Sequence, residues 1–72
     1  MDLRQRFARN VRERRKHLEL SQEQLSFESG LHRTYISGIE RGIRNVGIDN
    51  VAVIAKALNC EPSQLLEAKP KW

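Results

Sequence analysis

The sequence is poor in the residues that build metal centres, cross-links and catalytic pockets. Its 72 residues include one cysteine, two histidines, two prolines and four glycines, and aromatic residues make up 6%. A single cysteine excludes an intramolecular disulfide and a cysteine zinc site, which fits a reducing compartment. We interpret Cys60 as a small buried apolar residue. Only His17 could join His32 in a metal site, so we expect no metal and no cofactor.

Long apolar runs are also missing. No stretch approaches the roughly 20 residues of a membrane span, and residues 1–4, MDLR, do not lead into a secretory segment. A chain this short buries only about 60% of its unfolded surface, which allows a single domain over residues 1–72 and leaves no room for a spacious cavity. We therefore expect a protein of the bacterial cytoplasm that binds neither a membrane nor a small-molecule ligand.

Positive charge is present in excess. Thirteen lysines and arginines against nine acidic residues give a net charge of +4 and an isoelectric point near 9.8. This charge suits a polyanionic partner, although by itself it indicates only solubility and non-specific attraction.

The apolar spacing predicts helices throughout and no strand. Residues 3–18 form an amphipathic helix with Leu3, Phe7, Val11 and Leu18 inward. A second helix begins at Gln22, because Ser21 and Gln24 form a capping box, and it ends at Gly30.

The second half of the chain continues the pattern. A third helix covers residues 33–41 with Ile36 and Ile39 inward, and a fourth covers residues 48–58. The inward face of the fourth helix is predicted to consist of Ile48, Val51, Ile54, Ala55 and Leu58. A short fifth helix runs from Pro62 to Glu67, and residues 69–72 are expected to be frayed. The predicted fold is a compact all-α domain of five helices.

Residues 22–41 have the spacing of a helix-turn-helix. Two short helices are joined by three residues that include Gly30, and in such a pair the second helix enters the major groove of DNA. The outward side of the third helix is a contiguous strip of donors and small side chains, which suits a groove: Arg33, Thr34, Ser37, Gly38 and Arg41.

Several segments between Leu20 and Leu58 match a known family in register: LSQEQL, then GL with RTYIS, then IERG, RN and IAKAL. They resemble the phage repressor and Cro-like helix-turn-helix proteins. Within that family, GLHRTYISGIERG followed by RNV is most similar to the controller proteins of bacterial restriction-modification systems. The resemblance implies a lambda-repressor-like fold and a sequence-specific transcription regulator. Such a regulator binds a pseudo-palindromic operator as a homodimer and controls a restriction-modification operon that includes its own gene. The resemblance also implies that double-stranded DNA is the main partner and RNA polymerase a further one. It implies that the protein is located at the nucleoid.

The resemblance also implies roles for individual residues. Arg33 and Thr34 are expected to read base edges, since arginine pairs with guanine in bidentate fashion and threonine suits a thymine. Tyr35 and Ser37 are adjacent candidates for base contacts, although Tyr35 could equally be an aromatic residue at the edge of the core. Phosphate contacts are expected from four residues: Gln22, Arg41, Arg44 and Asn45.

The remaining implications are structural. Arg15 and Glu40 match a family pair that bridges helices one and three. His32 replaces the usual Ser or Thr cap, so the third helix is expected to start less firmly. Gly38 lies in the middle of the third helix, where glycine lowers helix stability by about 1 kcal/mol relative to alanine. Close approach to DNA, tight packing or neutral drift would each explain it.

A dimerisation region is predicted over residues 48–67. Val53 and Ala57 lie opposite the core stripe of the fourth helix, and we expect them to form the dimer patch with one of Leu65 or Leu66.

Three alternatives are a phage-type repressor, an antitoxin-like interaction module and an enzyme. An antitoxin is expected to bring an extra segment, and only five residues follow Glu67, which favours the regulator. The enzyme has little support, because the sequence contains no Cys-His motif, phosphate-binding glycine loop or paired carboxylates.

Overall fold

The five predicted helices are all present in a computed structural model that describes residues 1–72. In chain order they are α1 (Leu3–His17), α2 (Gln22–Ser29), α3 (Arg33–Glu40), α4 (Ile48–Ala57) and α5 (Pro62–Leu65), and there is no strand. The all-α class is confirmed. Four helices end within one residue of the prediction, and α5 stops two residues early. None of the helices has the length and hydropathy needed to cross a membrane.

Local capping explains where α1 and α2 begin. The Asp2 carboxylate accepts a hydrogen bond from the Gln5 amide at 2.8 Å, and the Gln5 side chain accepts one from the Asp2 amide. Ser21 and Gln24 form the same reciprocal pair at α2, as the sequence predicts. Gly30 ends α2 with φ of 74°, a left-handed conformation that favours glycine.

The start of α3 differs from the expectation. The Nδ1 atom of His32 accepts a hydrogen bond from the Thr34 amide at 3.0 Å, so the imidazole caps the helix in place of a hydroxyl. The sequence did not predict this cap, which forms because one ring nitrogen of a neutral imidazole can accept a hydrogen bond.

All five helices contribute to one core. Its ten buried side chains are Phe7, Val11, Leu25, Ile36, Ile39, Val51, Ile54, Ala55, Leu58 and Leu65. The fully buried Asn10 attaches the end of α5, because its amide donates to the carbonyls of Leu65 and Glu67 at 2.9 and 2.8 Å. The core therefore joins α2 and α3 to a scaffold made of α1, α4 and α5.

Three apolar assignments from the sequence are wrong. Leu3 and Ile48 were expected in the core, yet they are 58% and 77% exposed. Both point in the predicted direction but lie in the first turn of their helices, beyond the edge of the core. Leu65 was expected as one choice for a surface patch, and it is fully buried.

The C-terminal segment is not frayed. The Arg14 guanidinium lies 5.4 Å from the centre of the Trp72 ring, and the ring packs against the core. Arg14 also donates to the carbonyls of Leu58 and Asn59, each at 3.0 Å. A cation–π contact between residues so distant in sequence leaves no local pattern, which is why the sequence did not indicate it.

Candidate nucleic-acid interface

The two helices of the predicted helix-turn-helix pack directly against each other. Leu25 of α2 and Ile36 of α3 are both fully buried, and only residues 30–32 separate the helices. Within the turn, Leu31 is half-buried and its carbonyl accepts a hydrogen bond from the Ser26 hydroxyl. The orientation of α3 relative to α2 is therefore fixed by packing and by the turn.

A buried ion pair fixes the other end of α3. Arg15 Nε lies 2.6 Å from Glu40 Oε2, and Arg15 Nη2 lies 2.9 Å from Glu40 Oε1. Their side chains are only 12% and 4% exposed. The hydrogen bond that Arg15 donates to Glu40 raises the pKa of Arg15, even though burial lowers it. The expected pair is present, and it joins the last residue of α3 to α1.

Gln22 takes part in the same network. Its side-chain amide donates to Glu40 Oε1 at 3.2 Å, while Arg15 also donates to the carbonyl of Leu20 at 2.8 Å. The first residue of α2 is thereby held against the last residue of α3. The Gln22 amide is engaged within the protein, so any phosphate contact at this residue falls to the unpaired N–H groups at the start of α2.

Arg33 and Thr34 lie exposed at the start of α3. The Arg33 guanidinium is 3.7 Å from a carboxylate oxygen of Glu23, and the two side chains are 63% and 80% exposed. Exposed ion pairs contribute only about 0.2–1 kcal/mol. Arg33 can therefore leave Glu23 for a stronger partner at little cost.

Tyr35 and Ser37 do not share this exposure. Tyr35 is half-buried against the core, and its hydroxyl accepts a hydrogen bond from the Asn50 amide at 3.2 Å. Ser37 is also half-buried, and its carbonyl accepts from Arg41 Nε at 3.4 Å. Of the four predicted base-contact residues, Arg33 and Thr34 are thus exposed. The other two, Tyr35 and Ser37, are partly enclosed by the protein.

Arg44 lies across α3 above Gly38. Its guanidinium carbon is 5.9 Å from the centre of the Tyr35 ring. A Cβ atom on Gly38 would come within 2.6 Å of Arg44 Cγ, so a larger residue at this position requires the Arg44 side chain to shift. Of the three explanations left open for Gly38, tight packing is the one that the structure supports. Asn45, the next residue, is exposed.

Three arginines of α1 have a different role. Arg6, Arg9 and Arg14 donate to backbone carbonyls of residues 58–68, and Arg9 reaches Ala68 O at 2.6 Å. These three positive charges hold the C-terminal part of the chain. Arg33, Arg41 and Arg44 are exposed on or beside α3, which makes this face the candidate nucleic-acid interface. No group of three or more His, Cys, Asp or Glu residues is arranged to hold a metal ion.

The four predicted dimer residues differ in their exposure and surroundings. Leu65 is in the core, and Leu66 lines an apolar groove with Leu3 and Ile48. Val53 and Ala57 lie on another face of α4, where their neighbours include the end of α2. The prediction is therefore wrong for Leu65, because the wheel does not show where α5 docks. The grouping of Val53 and Ala57 with Leu66 stays a prediction.

Comparisons with known proteins agree with this geometry. A family model described as helix-turn-helix matches residues 11–65. Control protein C.SmaI of Serratia marcescens is 50% identical over 66 residues, which cover 92% of this chain and 79% of that protein. Control protein C.BamHI of Bacillus amyloliquefaciens is 60% identical over 48 residues, which cover 67% of this chain and 59% of that protein. The matched region thus spans less than two thirds of C.BamHI.

Solved structures similar to this chain also include controller proteins. The restriction-modification controller protein C.AhdI from Aeromonas hydrophila matches with a TM-score of 0.83 and 47% identity, covering 86% of this chain and 94% of that one. The controller protein C.Esp1396I, solved as a tetramer in complex with its natural 35 base-pair operator, matches with a TM-score of 0.84 and 34% identity. That match covers 90% of this chain and 86% of the other. The chain belongs to the helix-turn-helix family and, within it, to the restriction-modification controller proteins.

Proposed function

We propose that this protein is a sequence-specific transcription regulator that binds a pseudo-palindromic operator as a homodimer. Its regulated genes are a restriction-modification operon that includes its own gene. The single observation that carries the proposal is the exposed start of α3, where Arg33 and Thr34 extend from a helix fixed at its other end by Arg15 and Glu40. The family is one of regulators rather than enzymes, and the related C.Esp1396I has been solved on its operator.

Arg33 and Thr34 are proposed as the residues that read base edges. A helix that enters the major groove presents its N-terminal side chains to the bases. Arginine can donate two hydrogen bonds to guanine O6 and N7, and threonine offers a hydroxyl and a methyl group to neighbouring bases. Tyr35 and Ser37 would make a base contact only at the margin of this surface, since both are half-buried.

Phosphate contacts are assigned to residues around α3. Arg41 and Asn45 are exposed beyond its C-terminal end, and Arg44 is held over Tyr35 and Gly38. Because this packing orients the Arg44 guanidinium before DNA arrives, less conformational entropy is lost when a phosphate binds. The start of α2 at Gln22 is proposed to supply backbone N–H groups for a further phosphate.

We expect a homodimer because the base-contacting surface of a single α3 helix is small. One helix contacts too few base pairs for a useful specificity ratio, and two helices about 34 Å apart read two half-sites on one face of the duplex. RNA polymerase is the further partner that we propose for the regulated promoter. With DNA as its target, the protein acts at the nucleoid of a bacterial cell.

The test is a binding titration on the DNA upstream of the protein's own gene. A duplex of this sequence and a scrambled duplex of equal length and composition are titrated at a fixed salt concentration. Specific regulators bind their sites about 10³-fold or more tightly than other DNA. We expect a preference of this order and a footprint with two-fold symmetry. Equal affinity for the two duplexes would contradict the proposal.

A further inference from the structure

The first turn of α3 is held by one side-chain hydrogen bond. The amide groups of Arg33, Thr34 and Tyr35 precede the regular helical bonding pattern, so each needs a partner from outside the helix. Only the Thr34 amide has such a partner within the protein, the Nδ1 atom of His32 at 3.0 Å. The backbone of His32 is extended, and its carbonyl accepts from the Ile36 amide at 3.0 Å. His32 is therefore the residue that closes the start of this helix.

The helices α1 and α2 have a second bond that α3 lacks. The third residue of each, Gln5 or Gln24, accepts a hydrogen bond from the amide of the capping residue. The third residue of α3 is Tyr35, and its hydroxyl accepts from Asn50 of α4 instead. No reciprocal bond therefore supports the start of α3, which depends on the imidazole alone.

The cap exists only while Nδ1 of His32 carries no proton. A neutral imidazole has one acceptor and one donor nitrogen, and in the charged ring both nitrogens are donors. Protonation therefore removes the acceptor of the Thr34 amide, and it also places a positive charge at a helix N-terminus, which the helix dipole disfavours. Histidine is the only side chain that ordinarily changes its charge between about pH 5 and pH 8.

No carboxylate is paired with the imidazole to offset this loss. His32 is exposed and belongs to neither ion pair of the structure. Of the acidic residues on the surrounding helices, Glu40 is paired with Arg15 and Glu23 with Arg33. The ionisable side chains of α2, α3 and α4 are Glu23, Glu28, Arg33, Tyr35, Glu40, Asp49 and Lys56.

The residues proposed to read base edges lie in the turn that this bond holds. Thr34 is itself the donor of the bond, and Arg33 lies between Thr34 and His32 in the chain. Farther along α3, the buried Ile36 and the ion pair of Glu40 fix the helix independently of the cap. Loss of the cap therefore affects the base-reading turn and leaves the rest of α3 in place.

We propose that His32 is a positioning residue for base recognition, whose neutral imidazole holds the turn that carries Arg33 and Thr34. The inference rests on the base-reading role of these two residues in the proposed function. Discrimination between operator and other DNA is complete where the imidazole is neutral. It decreases as the pH falls through the range in which the ring gains its proton.

A charged imidazole beside DNA also attracts phosphate, which would raise affinity in acid. This attraction acts on every duplex, because phosphate contacts carry no sequence information directly. The ratio of operator affinity to scrambled-duplex affinity therefore separates the two effects. Loss of the cap lowers the ratio, whereas a phosphate contact raises both affinities and leaves the ratio unchanged.

The test is this ratio, measured by titration of the two duplexes at about pH 7.5 and about pH 5.5. The operator duplex is the DNA upstream of the protein's own gene. Because loss of a cap shifts a helix equilibrium about fivefold, we expect the wild-type ratio to fall by about fivefold or more in acid. His32→Asn keeps a side-chain acceptor that does not titrate, so its ratio should equal the wild-type value at pH 7.5 and stay constant. His32→Ala should have a low ratio at both values of pH.

The matched control is His17→Gln. His17 is the only other histidine, and it is exposed at the end of α1. This variant should follow the wild type, and it leaves His32 as the single imidazole for an NMR titration without DNA. In that titration the amide proton shift of Thr34 should change over the same pH range as the ring protons of His32. The Gln24 amide, which the Ser21 hydroxyl caps, should not change.

The outcomes separate this inference from the proposed function. If the Thr34 shift stays constant while His32 titrates, or if His32→Asn retains the wild-type decline, the inference is wrong and the regulator proposal stands. If acid raises both affinities at an unchanged ratio, His32 is a phosphate contact and not a positioning residue. If the Thr34 shift follows His32 but the wild type prefers neither duplex at pH 7.5, base reading itself is wrong and this inference falls with it.

Discussion

Arg15 of α1 and Glu40 of α3 form a bidentate ion pair, with nitrogen–oxygen distances of 2.6 and 2.9 Å. Because both side chains are largely buried, removing either one leaves a charge without its partner inside the protein. The pair also reaches α2 through Gln22, so it connects α1 to the two helices of the helix-turn-helix.

The first prediction concerns the stability that this pair provides. Arg15→Ala and Glu40→Ala should each lower the free energy of unfolding by about 3–5 kcal/mol, and the double variant should lose less than the sum. Urea denaturation of the four proteins measures these values. Glu40→Gln keeps the shape of the side chain and serves as the milder variant. Additive losses would show that the two residues do not stabilise each other.

The second prediction concerns Gly38 and Arg44. In the middle of a helix, Gly→Ala usually stabilises by about 1 kcal/mol, but here the new Cβ would lie 2.6 Å from Arg44 Cγ. Gly38→Ala should therefore gain little stability in the wild type and displace the Arg44 side chain, which lowers DNA affinity. In an Arg44→Ala background the same change should give the full gain of about 1 kcal/mol. An equal gain in both backgrounds, measured by urea denaturation, would contradict the packing account.

The third prediction concerns the pH dependence due to Cys60. Burial raises the pKa of its thiol above the ordinary value of 9.0; the positive charge of Arg14 opposes this shift, and Glu61 adds to it. The folded protein thus holds the proton at a pH where the unfolded chain has lost it. The stability from this residue is complete below about pH 9 and is lost as the pH rises further. Comparison of wild type with Cys60→Ala between pH 8 and pH 11 should show the wild type losing more stability. Parallel curves would contradict this assignment.

Much of the fold could be predicted because its signals are local. The capping box of Ser21 and Gln24, the glycine at position 30 and the spacing of Ile36 and Ile39 each depend on a few neighbouring residues. Arg33 and Thr34 were placed correctly at the exposed start of α3 for the same reason.

The errors arose where distant segments meet. The helical wheel gave the direction of Leu3 and Ile48 but not the edge of the core, which depends on how far each helix extends past its neighbours. Neither the attachment of Trp72 to Arg14 nor the contact of Arg44 with Tyr35 has a local pattern. Such contacts depend on the tertiary arrangement of the helices.

The last prediction separates base reading from anchoring. Arg33 is exposed at the start of α3, and Arg44 lies in the loop beyond it. Phosphate contacts position a protein on DNA and carry no sequence information directly, whereas contacts to base edges specify the site. Arg44→Ala should therefore weaken binding to operator and scrambled duplexes by similar factors. It should also reduce the slope of log affinity against log salt concentration by about one unit per lost phosphate contact, or about two for a dimer.

Whether α3 reads the bases is measured by the affinity of Arg33→Ala for operator and scrambled duplexes, titrated side by side with the wild type and Arg44→Ala. We predict that Arg33→Ala loses about 1–3 kcal/mol on the operator in each half-site and much less on the scrambled duplex. An equal loss on the two duplexes for Arg33→Ala, together with lost discrimination in Arg44→Ala, would contradict it and move base reading from α3 to the loop.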